Sequence, residues 1–179
     1  MKTINRLFIL LTVLFLSSCE GEQGPPGIPG QDGINLLGSV IEIEGTFSAQ
    51  NDYSLYYEFP NNLEIYDSDL VLVYILWDQT DDGNGNVLDI WRLLPQTVVL
   101  PEGVLQYNFD YTVADVEIFL NYTSDYSELL PAETDNQVFR IAVLPAAYAA
   151  NKSIDLADMN AVMKSLKKDI SSVKRYGLQ

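Results

Sequence analysis

Apolar and polar positions follow three different patterns along the chain. Leu7 to Leu16 is an unbroken apolar run apart from Thr12. From Gly38 onward the pattern alternates. Ile41, Ile43 and Phe47 are set against Glu42, Glu44 and Thr46, and Tyr53, Leu55, Tyr57 and Phe59 against Ser54, Tyr56 and Glu58. A period of two predicts half-buried strands. Leu70 to Trp77 is apolar throughout, with β-branched Val71, Val73 and Ile75, which predicts a central strand covered on both faces. Asp81-Asp82-Gly83-Asn84-Gly85-Asn86 is a dense turn signal, and Val87 to Leu94 reads as the returning strand. Trp77 and Trp91 are roughly equidistant from that turn, so they are expected to be cross-strand neighbours. Leu105, Tyr107, Phe109 and Tyr111 alternate with polar residues. Val116, Ile118 and Leu120 do the same after a short turn at Val113-Ala114-Asp115, which predicts a second hairpin. Val138 to Leu144 is the last predicted strand.

The pattern then changes period. Leu156, Met159, Val162, Met163, Leu166 and Ile170 recur at three- and four-residue spacing, with Asp158, Lys164 and Lys168 on the other side. This predicts an amphipathic helix over about 155–169, capped by Ser153 or Asp155. So short a helix is marginal alone, so its stripe is expected to pack on the sheet. The expected fold class is mainly β. It is an antiparallel β-sandwich or bent sheet of about seven strands over residues 38–179, with the C-terminal amphipathic helix packed on it.

The start of the chain reads as an address. Lys2 and Arg6 precede the apolar run, which is too short to span a bilayer and suits a signal peptide over residues 1–18. Leu16-Ser17-Ser18-Cys19 resembles the bacterial lipobox. The resemblance implies diacylglycerol on the Cys19 sulfur, cleavage before it and acylation, palmitate for example, of the new amino terminus. Several acyl chains anchor stably, because each buried CH₂ contributes about 0.8 kcal/mol. Glu20 stands where aspartate would resemble an inner-membrane retention signal. The expectation is an outer-membrane lipoprotein on the periplasmic or cell-surface face.

Residues 19–37 hold the lipidated cysteine and a collagen-like tract, with glycine at 21, 24, 27, 30 and 33 and Pro25, Pro26 and Pro29 between. Only glycine fits the axis of three polyproline-II chains. Two readings stand. One is a stiff spacer, whose twelve residues at about 3.1 Å each reach roughly 37 Å. The other is a trimer-forming stalk. A monomer is the first expectation.

Charge narrows the partners. Of 179 residues, 25 are acidic and 10 basic, and from Glu20 to Asn151 there are only two bases, Arg92 and Arg140. Such a body repels nucleic acid and anionic lipid. From Lys152 the balance reverses, with six bases against three acids. That stretch reads as a solvated helix face, or as a segment docking on the acidic body.

Composition also limits the chemistry. There is no histidine, and Cys19 is the single cysteine. An intramolecular disulfide, a Cys-x-x-Cys redox pair and a Ser–His nucleophile are therefore out of reach. No Gly-x-Ser-x-Gly or phosphate loop occurs. No catalytic residue and no cofactor is expected. Asp78, Thr80, Asp82, Gly83 and Asp89 fall at positions 1, 3, 5, 6 and 12 of an EF-hand-like spacing. Gly85 in place of an apolar residue, Asp89 in place of glutamate and flanking strands all argue against it, so the loop reads first as an acidic hairpin tip. Asp78, Asp82 and Asp89 remain the metal candidates. Tyr53, Tyr56, Tyr57, Tyr122 and Tyr126, with Trp77 and Trp91, are candidates to stack on sugar rings, against the ordinary reading as core or cross-strand pairs.

Lipobox, Gly-x-y tract and strand-rich body in that order resemble the small collagen-like-tract lipoproteins of Bacteroidota. The segments Val71-Leu72-Val73-Tyr74, Trp91-Arg92-Leu93-Leu94-Pro95-Gln96, Leu105-Gln106-Tyr107-Asn108-Phe109-Asp110 and Phe139-Arg140-Ile141-Ala142-Val143 look like that group's body. The resemblance implies no particular activity. The label dihydrolipoamide dehydrogenase attached to some of the group does not suit this chain, which lacks a disulfide pair, a Gly-x-Gly-x-x-Gly turn and histidine. The expected function is a membrane-anchored, non-catalytic envelope lipoprotein with a structural or protein-contact role. The alternative is a lipoprotein that binds glycan or calcium.

Overall fold

The chain divides into two units, Met1–Ile34 and Asn35–Gln179. The computed structural model describes residues 38–146, 154–169 and 173–178. Cys19, the Gly-x-y tract, Ser153 and Ile170 lie outside the described residues.

Among the described residues, nine strands form two sheets. The strands are β1 (Ser39–Gly45), β2 (Ser54–Glu58), β3 (Leu70–Asp81), β4 (Val87–Leu93), β5 (Gln96–Val99), β6 (Val104–Tyr111), β7 (Asp115–Tyr122), β8 (Gln137–Leu144) and β9 (Lys174–Gly177). A short helix α1 (Pro131–Thr134) precedes β8, and α2 (Met159–Ser165) follows it. The five-stranded sheet has the order β4-β3-β8-β1-β9, and the four-stranded sheet β2-β7-β6-β5. All pairings are antiparallel except β1 with β9. The expected β-sandwich is what the chain forms.

Alternation accounts for the layers. Ile41 and Ile43 of β1, Val71, Val73 and Ile75 of β3, and Phe139, Ile141 and Val143 of β8 face the second sheet. There they meet Leu55, Tyr57, Leu105, Tyr107, Val116, Ile118 and Leu120 in one core. The intervening residues Tyr74, Ala142 and Leu144 face the other way. They pack on Met159, Val162, Met163 and Leu166 of α2 and its C-terminal end. β3 is thus covered on both faces over its first half, as its unbroken apolar run predicts. Tyr74 also donates a 2.6 Å hydrogen bond to the Leu156 carbonyl, tying the sheet to the segment before α2. Gly38 leads into β1 where a Cβ would lie 2.4 Å from Leu166 Cδ2 and 2.6 Å from the Val143 carbonyl oxygen.

Four expectations are corrected. Two strands were not foreseen. β5 has four residues between Pro95 and Pro101, too few for a period, and β9 is Lys174-Arg175-Tyr176-Gly177, with no apolar alternation. β3 continues past Trp77 to Asp81, because its last polar residues still pair with β4. α2 is shorter than predicted. It starts at Asp158, whose carboxylate accepts from the Asn160 and Ala161 amides, while Asp155 accepts from Ala157 one turn earlier. Finally, Trp77 and Trp91 are not cross-strand neighbours. Trp91 pairs with Leu76 and Ile90 with Asp78, so the ladder bulges at Trp77. A bulge re-aims a side chain. Trp77 packs with the inter-sheet core and Trp91 with the α2 side.

Candidate functional site

One row of side chains crosses the five-stranded sheet on its α2 face. Register places Leu93 beside Tyr74, Tyr74 beside Arg140, Arg140 beside Glu42, and Glu42 beside Arg175. Arg140 and Glu42 are only 4% and 6% exposed, so neither charge is tolerable without a partner. Arg140 Nε lies 2.8 Å from Glu42 Oε2. Arg175 Nε donates to the other Glu42 oxygen, and its Nη1 lies 3.3 Å from Glu44 Oε2. Within the basic C-terminal stretch, β9 thus joins the sheet with Arg175 paired to acids of β1. The carboxylates of Glu42 and Glu44 hold the Arg175 guanidinium above its ordinary range.

Beside Arg140 in this row lies a cleft of about 440 Å³ between β4 and α2, lined by Val87, Leu88, Asp89, Ile90, Trp91, Arg140 and Asn160. Arg140 lies under the Trp91 ring, 4.0 Å from its centroid, and 3.9 Å from Asp89 Oδ2. On the opposite face of β4, Arg92 stacks 4.0 Å over Trp77. β4 is an outer strand, paired only with β3 among the described residues. Its Val87, Leu88 and Ile90 are 65%, 50% and 38% exposed. The cleft offers apolar contact, a carboxylate and a neutralised guanidinium. The strand beside it offers backbone donors and acceptors along its free edge.

The structure does not bring the metal candidates together. Asp82 uses its carboxylate to close the hairpin tip, accepting from the Asn84 and Asn86 amides at 2.7 and 3.1 Å and from Asn86 Nδ2 at 2.8 Å. Those bonds lower its pKa to about 2. Asp89 accepts from Gln79 Nε2 at 2.8 Å, and Asp78 accepts from the Gln79 amide. Among the described residues, no group of three His, Cys, Asp or Glu is placed to hold a metal ion.

The sugar-stacking candidates are scattered. Tyr53 packs against Tyr126 with ring centroids 4.4 Å apart and planes tilted by 37°, and Tyr122 meets Tyr126 edge-on at 6.0 Å. Tyr126 also accepts from the Tyr122 amide and donates to the Leu120 carbonyl. Tyr57 is buried between the sheets. Tyr56 alone is exposed on the outer face of the four-stranded sheet, where it donates to Asp115. That bond first, then partial burial, raises the Tyr56 phenol to about 12.

Arg140 and Glu42 were not singled out by the sequence reading. The signal available was Arg140 itself, a lone cation inside the apolar run from Val138 to Leu144 and one of two bases in the acidic stretch. The chain matches no family model, no curated protein and no solved structure.

Proposed function

We propose that this protein is a lipid-anchored lipoprotein of the cell envelope whose β-sandwich works by protein contact and not by catalysis. Cys19, behind Leu16-Ser17-Ser18 and an apolar run, supplies the anchor, and the Gly-x-y tract supplies the stand-off. The observation that carries the contact role is the open, apolar outer strand β4, with Val87, Leu88 and Ile90 exposed. Several of the side chains that suggested calcium or glycan have other work: Asp82 shapes a turn, and Tyr53, Tyr122 and Tyr126 pack on each other.

Membrane fractionation tests the anchor. Cys19→Ala is expected to move the protein from the membrane fraction to the soluble one, and a variant that stays membrane-bound rejects the reading. Photo-crosslinking from body positions in intact cells tests the contact role. Adducts with one partner chain are expected, and crosslinks to water or lipid alone reject it.

A further inference from the structure

We propose that the edge of β4, unpaired among the described residues, accepts an extended, cationic segment of a partner protein as an added strand. The proposal rests on the protein-contact reading and names the surface and the chemistry of the occupant.

The four sheet edges are not alike. β9 has four residues and carries Lys174 and Arg175, and β5 has four and is closed by Pro95 and Pro101. β2 has five, with Tyr56 and Glu58 exposed. Short length, charge and proline are the usual ways to keep an edge from recruiting another strand. β4 has seven residues, Val87-Leu88-Asp89-Ile90-Trp91-Arg92-Leu93, and three exposed aliphatic side chains. A long, apolar, unpaired edge is the surface that strand addition uses: backbone hydrogen bonds supply affinity and side-chain pockets supply specificity.

The occupant follows from charge and alternation. Residues 78–92 hold four acids, Asp78, Asp81, Asp82 and Asp89, against Arg92 alone. Arg92 lies over the Trp77 ring, and another cation nearby, Arg140, is 3.9 Å from Asp89. A second copy of this chain would bring its own Asp89 and an equally acidic hairpin to the seam, which like-charge repulsion opposes. A basic strand meets the opposite field. Side chains of an added strand alternate between the two faces. Those on the α2 face fall beside Asp89 and the Trp91 cleft. Those on the other face fall beside Leu88 and Ile90, which also border the cleft. The fitting segment therefore alternates lysine or arginine with valine, isoleucine or leucine.

The test titrates the full chain in detergent with a synthetic peptide of about seven residues alternating lysine and valine, a typical strand length. Amide shifts are expected in residues 87–93. Affinity is expected to fall about ten-fold in Ile90→Lys, several-fold in Asp89→Asn and several-fold on raising the salt. Both variants change exposed or half-exposed side chains, and unchanged melting temperatures confirm that they fold. The proposal is overturned by equal binding of a valine–glutamate peptide, by shifts confined to the other sheet, or by a β4-dependent dimer in the peptide's absence. Crosslinking separates this proposal from the broader reading. A partner captured from Tyr56 but never from Leu88 overturns strand addition and leaves the contact role standing.

Discussion

At the scale of single residues, the carboxylates divide into those that shape loops and those that neutralise buried cations. Asp82 belongs to the first kind. Its side chain accepts from Asn86 Nδ2 and from the Asn84 and Asn86 amides, and these bonds depress its pKa from 3.8 to about 2. A depressed carboxylate stabilises the fold above its unfolded value and loses that contribution as pH falls through its folded value. The hairpin tip should therefore hold above pH 3.8 and loosen from there down to about 2. Amide chemical shifts of Asn84 and Asn86 followed against pH check this, and a midpoint near 3.8 contradicts it. The spacing around Asp82 suggests calcium from sequence alone. What it cannot reveal is that the carboxylate is already used by its own turn, a local competition open to every Asp two residues before a free amide.

Glu42 belongs to the second kind. It looks like a solvent-facing polar position in an alternating strand. The register of β1 with β8 instead sets it against Arg140, on a face that α2 and β9 help to close. Removing one partner of a buried pair leaves the other charge uncompensated, which typically costs about 3–5 kcal/mol. Glu42→Leu is expected to lose that much in urea denaturation. The double variant Glu42→Leu/Arg140→Met should recover most of it, because volume is kept and no orphan charge remains. If the double variant is no better than the single one, the ion pair is not the source of the loss.

At the scale of elements, period was informative where one face is buried and silent where backbone pairing does the work. The seven strands with alternating or continuous apolar residues were legible, as was the change of period at α2. β5 and β9 were not, since four residues carry no period and β9 owes its place to β1 and to Arg175. Nor was the candidate surface legible as a surface. Val87, Leu88 and Ile90 read only as part of a returning strand, and the strand order is what puts β4 at an edge. α2 has seven residues, too few to hold its own backbone. Its stability therefore comes from Met159, Val162 and Met163 against the sheet and from the Asp158 cap. Met163→Ala should cost about 2–5 kcal/mol through the cavity it leaves. Asp158→Ala should cost about 0.5–2 kcal/mol through the lost cap. Chemical denaturation of both variants checks the order. A larger loss from the cap than from the core residue would mean that α2 is held by its terminus and not by its packing.

At the scale of the whole molecule, charge bears on whether the Gly-x-y tract is a spacer or a stalk. The proposed cleavage before Cys19 would remove Lys2 and Arg6 and take the formal net charge from −15 to −17 (−15 minus the two lost positives). A collagen-like trimer would gather three such bodies at one end of a tract of four triplets. Four triplets give a triple helix little to set against that repulsion, which acts within a Debye length of about 8 Å at physiological salt. The basic residues that could offset it are partly committed within each chain, with Arg175 held by Glu42 and Glu44. Residues 20–179 are therefore expected to sediment as a monomer at physiological ionic strength. A trimer that reverts to monomer when residues 21–33 are deleted makes the tract a stalk. A trimer that survives the deletion places the association in the β-sandwich, where the free edge of β4 is the first surface to alter.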